Sequence, residues 1–174
     1  MNLHSELLLG GARSGKSKLA EQRATESGLK LIYIATGTAG DGEMHERIAP
    51  HQASRNESWQ LVEEPIDLAE VLLSHANANS CILVDCLTLW LSNCLHHNCW
   101  EQQRDKLLAV FSQLSGRVIF VSNEVGMGIT PMGELTRRFV DETGFLHQQL
   151  ASMCDQVTLV VAGLPLQIKP VAAD

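Results

Sequence analysis

GGARSGKS, residues 10–17, reads G-x-x-x-x-G-K-S, and it joins an apolar run closing at Leu7–Leu9 to the helix-forming stretch KSKLAEQRA. Pattern and setting agree. A strand that turns into a helix through glycines aims several backbone N–H groups at one spot, and the helix start adds partial positive charge. Such a turn cradles the phosphates of a nucleotide. In this motif Lys16 reaches the β- and γ-phosphates, and the hydroxyl of Ser17 serves Mg2+.

The rest of the chain supplies the sheet that such a loop needs. Short β-branched runs recur at 30–36, 60–64, 81–87, 117–123 and 156–163, and LPLQIK (164–169) reads as a short last strand returning by a hairpin. Helical patterns fill the gaps at 16–27, 43–56 with a break, 66–76, 89–97, 101–115 and 133–154. Continuous apolar strands alternating with helices predict a mostly parallel sheet covered on both faces. No repeat, low-complexity segment or linker divides the chain, so residues 1–174 are expected to form a single nucleotide-binding α/β domain.

Two glycine-rich loops, TGTAGDGEM (36–44) and SNEVGMGITPMG (122–133), follow strands two and five. In open parallel sheets ligands bind beyond the carboxyl ends of strands, where both loops lie. CILVD ends in Asp85, placed to be the second magnesium contact of a phosphate-loop protein. As CLTLWL follows, Asp85 can also cap a helix, a role that does not exclude the first. Asn123-Glu124-Val125-Gly126 lacks the lysine and aspartate of a guanine-reading switch, which leaves a small-molecule kinase or a nucleotide-dependent regulatory module. Glu124 is a candidate kinase base or a cap of its own loop.

Charge and composition narrow the class further. The 174 residues carry a net charge of −7, which speaks against a general nucleic-acid binder. No apolar run approaches the roughly 20 residues that span a bilayer, and MNLHSELLLGG lacks the pattern of a signal peptide, so a cytoplasmic location is expected. Five cysteines do not suggest a disulfide framework. Cys94, His96, His97 and Cys99 lie within six residues, either as a metal site or as a polar helix end with two half-buried thiols. His147 falls on a long helix and Trp59, Trp90 and Trp100 read as packing residues; none is given a catalytic part.

RIAPHQASR (47–55) places a histidine directly after a proline. Proline suits the first position of a helix. A new helix at Pro50 would put His51 and Gln52 in its first turn, where free N–H groups receive an anion and an imidazolium is disfavoured. A neutral imidazole is a nucleophile, so the stretch suits phosphoryl or nucleotidyl transfer through His51. A kinked continuous helix fits the same letters.

Taken together, GGARSGKS, YIATG, EMHERIAPHQASR, LVDCLTLWLSN, SNEVGMGITP and RRFVDETGFLHQQLA make a sequence that resembles the bifunctional adenosylcobinamide kinase / adenosylcobinamide-phosphate guanylyltransferase family of cobalamin biosynthesis. The resemblance implies two activities. One phosphorylates the aminopropanol hydroxyl of adenosylcobinamide, with ATP or GTP as donor. The other places GMP from GTP on a histidine, matching His51, and passes it to adenosylcobinamide phosphate. The family's nucleotide contacts carry over to Gly10, Gly11, Ala12, Arg13, Ser14, Gly15, Lys16 and Ser17, to Ala35, Thr36 and Gly37, to Gln52, Ala53, Ser54 and Arg55, and to Glu63 and Asp85. Lys16 and His51 are then the catalytic residues, and Ser17 and Asp85 the Mg2+ ligands. The resemblance also implies a RecA-like P-loop NTPase fold, a three-layer sandwich, and a homotrimer.

Overall fold

The computed structural model describes residues 5–37 and 59–170. Seven strands form one sheet: β1 (Ser5–Gly10), β2 (Lys30–Ala35), β3 (Trp59–Glu63), β4 (Ser80–Asp85), β5 (Arg117–Asn123), β6 (Gln156–Val161) and β7 (Leu164–Lys169). Their order is β3-β2-β4-β5-β1-β6-β7. All neighbouring pairs are parallel except β6–β7, which is antiparallel. The described helices are α1 (Lys16–Glu26), α2 (Leu68–His75), α3 (Leu87–His96), α4 (Trp100–Val110) and α5 (Glu134–Met153). The predicted helix over 43–56 lies outside the described residues.

Because successive strand residues face opposite ways, each buried strand feeds two apolar layers. Leu7, Ile32, Ile34, Ile82, Val84, Val118 and Phe120 pack on one face against Leu72 of α2, Trp90 and Leu91 of α3, Trp100 and Leu107 of α4, and Leu146 and Leu150 of α5. Leu8, Tyr33, Leu83, Ile119 and Val121 pack on the other face against Ala20 and Ala24 of α1. The three layers are therefore unequal among the described residues: four helices on one face and α1 on the other. Trp90 and Trp100 meet edge to face at 5.3 Å and are fully buried, as packing residues.

Element ends differ from the sequence expectation where side chains intervene. The Glu64 carboxylate accepts the N–H groups of Ile66 and Asp67, both at 2.8 Å, so α2 starts at Leu68 instead of 66. Strand six stops at Val161 because Ala162 and Gly163 take positive φ, 52° and 79°, as a tight primed hairpin turn requires. The helix after β4 begins at Leu87, two residues earlier than predicted, and α4 passes at Phe111–Gln113 into a single 3-10 turn.

Two buried polar clusters tie the layers together. Near the amino ends of the strands the Glu6 carboxylate is ion-paired with Arg23 of α1 and, at 3.5 Å, with Arg117 of β5. Thr158 of β6 donates to it at 3.4 Å. Removing one partner of such a buried group leaves the others uncompensated, which is costly. Near the carboxyl ends, Nε2 of His147 on α5 lies 2.7 Å from Oγ of the fully buried Ser122.

Burial holds the His147 imidazole well below its ordinary value, at about 4, against a smaller opposing pull from Glu124. The unfolded chain takes up this proton near pH 6.5, so stability present above that pH is lost as pH falls towards 4. In urea titrations this group should remove on the order of 2 kcal/mol between pH 7 and pH 5. His147→Gln, which retains a hydrogen-bonding side chain, should flatten that fall; an identical pH dependence in both proteins would contradict the assignment.

Candidate nucleotide site

The phosphate loop leaves the centre of the sheet. Gly10 ends β1 between β5 and β6, opposite Asn123 and Val160. A Cβ at Gly10 would lie 2.7 Å from the Val160 carbonyl oxygen and 2.5 Å from Ser14 Oγ, so no side chain fits there. Gly11 has open space around it. Further on, the Ser14 carbonyl accepts the N–H of Gly163 at 2.8 Å, which fastens the loop to the β6–β7 turn. Gly15 caps α1 with φ 96° and no side-chain hydrogen bond, and no acidic residue stands in the first helical turn. The helix start thus keeps its N–H groups and partial positive charge for an anion. Lys16 is buried at this start, with Nζ donating to the Gly11 carbonyl at 3.1 Å.

Sheet register aligns the predicted residues at the strand ends. Glu63, Ala35, Asp85, Val121, Leu8 and Thr158 form one row across six strands. Asp85 does not cap the following helix: α3 is entered from Cys86 without a side-chain cap. Its carboxylate instead accepts the hydroxyl of Tyr33, the chain's single tyrosine, at 3.0 Å. The buried Cys86 thiol is pushed up to about 11, first by burial and then by Asp85, while Thr88 and Lys16 pull the other way. One sulfur therefore feels both the Asp85 carboxylate and the Lys16 ammonium. Asp85 and Ser17 offer hard oxygens, the donor type that suits Mg2+ beside phosphate.

The segment after β2 is bound to the end of β4. Thr36 is fully buried. Its N–H donates to the Asp85 carbonyl at 3.3 Å, and its hydroxyl donates to the Cys86 carbonyl at 2.7 Å. The same hydroxyl accepts the Cys86 N–H at 2.9 Å, and the Thr36 carbonyl accepts Asn93 at 2.8 Å. Thr36 thus joins β2 to β4, with Ala35 buried and Gly37 half-buried beside it. Glu63 is exposed at the end of β3.

Glu124 caps its loop, its two oxygens accepting the N–H groups of Gly126 at 2.8 Å and Met127 at 3.1 Å. Of its two predicted roles the geometry shows the capping one. At the end of α3, Cys94 is fully buried, not half-buried, and Cys99 is intermediate, with Sγ 3.6 Å from the Cys94 carbonyl oxygen. The rings of His96 and His97 lie edge to face at 5.4 Å, and both residues are exposed. Among the described residues no three His, Cys, Asp or Glu gather as a metal site. His51, Gln52, Ala53, Ser54 and Arg55 lie outside the described residues.

Sequence reasoning missed Tyr33, Cys86 and Gly163 as neighbours of the site. AGLP does signal a turn, but only the folded sheet brings that turn to the phosphate loop.

The two leading glycines give a sharp contrast. Gly10→Ala should lower nucleotide affinity at least about tenfold, since backbone on β6 blocks the added methyl, a cost above about 1.4 kcal/mol. Gly11→Ala should stay within a few-fold of the native protein. Isothermal titration with a non-hydrolysable GTP analogue reads both, and equal losses would contradict the packing described.

Comparison with known proteins agrees with the fold and the chemistry. A RadB recombinase superposes with a TM-score of 0.52 at 18% identity, over 90% of this chain and 73% of that one. A KaiC-like protein of Pyrococcus horikoshii gives 0.51 at 12% identity, over 90% and 70%. These similarities support the RecA-like P-loop fold alone. In sequence, the bifunctional adenosylcobalamin biosynthesis protein CobP of Pseudomonas aeruginosa is 55% identical over 94% of this chain and 96% of its own length. The corresponding CobU protein of Escherichia coli is 37% identical over 94% and 98%. Residues 6–168 match the family model described as cobinamide kinase / cobinamide phosphate guanyltransferase. On this match, and with the phosphate loop in place, the chain belongs to the cobinamide kinase / cobinamide phosphate guanyltransferase family and is a bifunctional enzyme with both activities.

Proposed function

We propose that both activities use a nucleotide seated at residues 10–17, and that the guanylyl transfer runs through His51. The observation that carries the first part is the uncapped start of α1, with Lys16 buried in it and no acidic side chain in its first turn. In the kinase reaction the aminopropanol oxygen of adenosylcobinamide attacks the γ-phosphorus of ATP or GTP. The β–γ bridging bond breaks, the nucleoside diphosphate leaves and the hydroxyl proton is lost. Lys16 and the loop N–H groups stabilise charge on the departing phosphates.

In the guanylyl reaction the neutral imidazole of His51 attacks the α-phosphorus of GTP and pyrophosphate leaves. A phosphate oxygen of adenosylcobinamide phosphate then attacks the same phosphorus, giving adenosylcobinamide-GDP and regenerating the imidazole. Dividing the transfer replaces one difficult displacement by two easier ones. The reading rests on Pro50-His51-Gln52 and on the family resemblance. Gln52, Ala53, Ser54 and Arg55 would bind the nucleotide from that side, Arg55 against phosphate charge, with Ala35, Gly37 and Glu63 at the row of strand ends.

Ser17 and Asp85 would hold Mg2+, which supplies charge neutralisation at the phosphates. Tyr33 orients Asp85 for that part. We further assign a homotrimer, supported by the outer strand β7, where Leu164, Leu166 and Ile168 are exposed on the sheet's edge. Pro165 and Lys169 on that strand disfavour indefinite strand addition. The protein is placed in the cytoplasm. Five cysteines without a disulfide among the described residues suit a reducing compartment, and no described helix is long and apolar enough to cross a membrane.

Incubation with α-labelled GTP tests the covalent step. Native protein should take up an acid-labile, alkali-stable label that His51→Ala lacks. Kinase activity should survive His51→Ala much better than Lys16→Ala, which removes phosphate contact from both reactions. Absence of label on the native protein, with magnesium present, would overturn the guanylyl-histidine. Sedimentation equilibrium should give three times the chain mass.

A further inference from the structure

The loop that follows β5 carries an apolar surface that the protein leaves uncovered. Met127, Ile129 and Met132 are 78%, 97% and 96% exposed, and Leu135, in the first turn of α5, is 68% exposed. Four large apolar side chains within nine residues, all turned to solvent, exceed the scattered exposure normal for a surface. The backbone beneath them is held. Both Glu124 oxygens bind loop N–H groups, and the Arg137 guanidinium donates to the carbonyls of Pro131, at 3.2 Å, and Met132. A loop braced from below with apolar side chains projecting above it is a platform.

Its position says what the platform serves. Asn123 pairs with Gly10 in register, and the Glu124 N–H donates to the Gly10 carbonyl at 3.0 Å. The loop that carries the platform therefore begins beside the first residue of the phosphate loop. Asn123 also donates to Thr88 at 3.2 Å, and Thr88 contacts Cys86, next to Asp85. The family's acceptor is a corrinoid, a broad macrocycle whose rim carries methyl groups between its amide side chains. One end of it must reach the transferred phosphoryl group while the bulk stays outside the nucleotide site. Methionine side chains suit such a rim, being unbranched and polarizable and able to adapt to an irregular surface.

We infer that residues 127–135, through Met127, Ile129, Met132 and Leu135, form the binding surface for the macrocycle of the corrinoid acceptor. The surface acts in both reactions, because adenosylcobinamide and its phosphate present the same ring. It contributes acceptor affinity and position, and takes no part in bond making. This assignment rests on the corrinoid kinase and guanylyltransferase activities, and the native protein assayed in parallel tests those separately.

The experiment uses the full-length triple variant Met127→Ser, Ile129→Ser, Met132→Ser. All three side chains are exposed, so the fold should be retained, as melting and circular dichroism would check. The Michaelis constant for adenosylcobinamide should rise on the order of tenfold or more, since each buried methylene contributes about fourfold in affinity. The Michaelis constant for GTP and the labelling of the protein by α-labelled GTP should stay within about twofold. Equilibrium dialysis of adenosylcobinamide should show the same loss. A conservative set, Met127→Leu, Ile129→Val, Met132→Leu, should restore most of the affinity. An unchanged acceptor constant in the serine variant overturns the assignment. A fall in solution mass also overturns it, because the platform would then be a contact between copies of this chain.

Discussion

The site depends on close backbone contact between the phosphate loop and the last hairpin. At Gly10 the space for a side chain is filled by the Val160 carbonyl. At Ser14 the carbonyl is held by the Gly163 N–H. Two points four residues apart in the loop are thus fixed to one antiparallel element more than 140 residues further along the chain. A loop that must point several N–H groups at one anion cannot reorganise freely when the anion arrives without losing affinity. Strand β6 and the primed turn after it supply that preorganisation, and the positive φ of Ala162 and Gly163 sets the direction of the Gly163 N–H.

A second set of bonds fixes the end of β4, where Asp85 lies. The end of β4 is bound to the end of β2 through Tyr33 and Thr36, and Thr36 is bound in turn to Asn93 of α3. These residues are buried or half-buried. In such surroundings a hydrogen bond holds direction well, and a missing one is costly. Asp85 consequently has a fixed orientation, and Cys86 stays protonated between the carboxylate and Lys16. An inert thiol there adds no charge of its own at neutral pH.

Much of this architecture was legible in the letters, for physical reasons. GGARSGKS between an apolar strand and a helix former fixes a local shape, and buried parallel strands must read as continuous apolar runs. The last strand returning by a hairpin was legible for the same local reason, although residues 162–163 read as strand and form the turn. The exact start of α2 was not, because it depends on the Glu64 side chain choosing two N–H groups. Nor was the bond of His147 to Ser122, which joins residues 25 apart and depends on how α5 packs on β5. Asp85 illustrates the limit well: sequence leaves helix cap and metal ligand both open, and only Tyr33, 52 residues earlier, decides against the cap.

The proposed use of one nucleotide site for two chemistries demands two directions of attack, and the sheet order sets β2 and β5 on either side of β4. Strand β4, with Asp85 at its end, lies between β2 and β5. The segment that leaves β2 leads in sequence towards His51, while the segment that leaves β5 opens with Glu124, against Gly10, and carries the apolar platform. In a parallel sheet β2 and β5 both end at the carboxyl edge, on opposite sides of the strand that ends in Asp85. An enzyme that, as proposed, attacks the γ-phosphorus with a corrinoid hydroxyl and the α-phosphorus with an imidazole needs a phosphate cradle common to both. It also needs nucleophiles that do not compete for one approach. Fixing the cradle with β1, β6 and the hairpin leaves the strand ends on either side of β4 for the two proposed approaches.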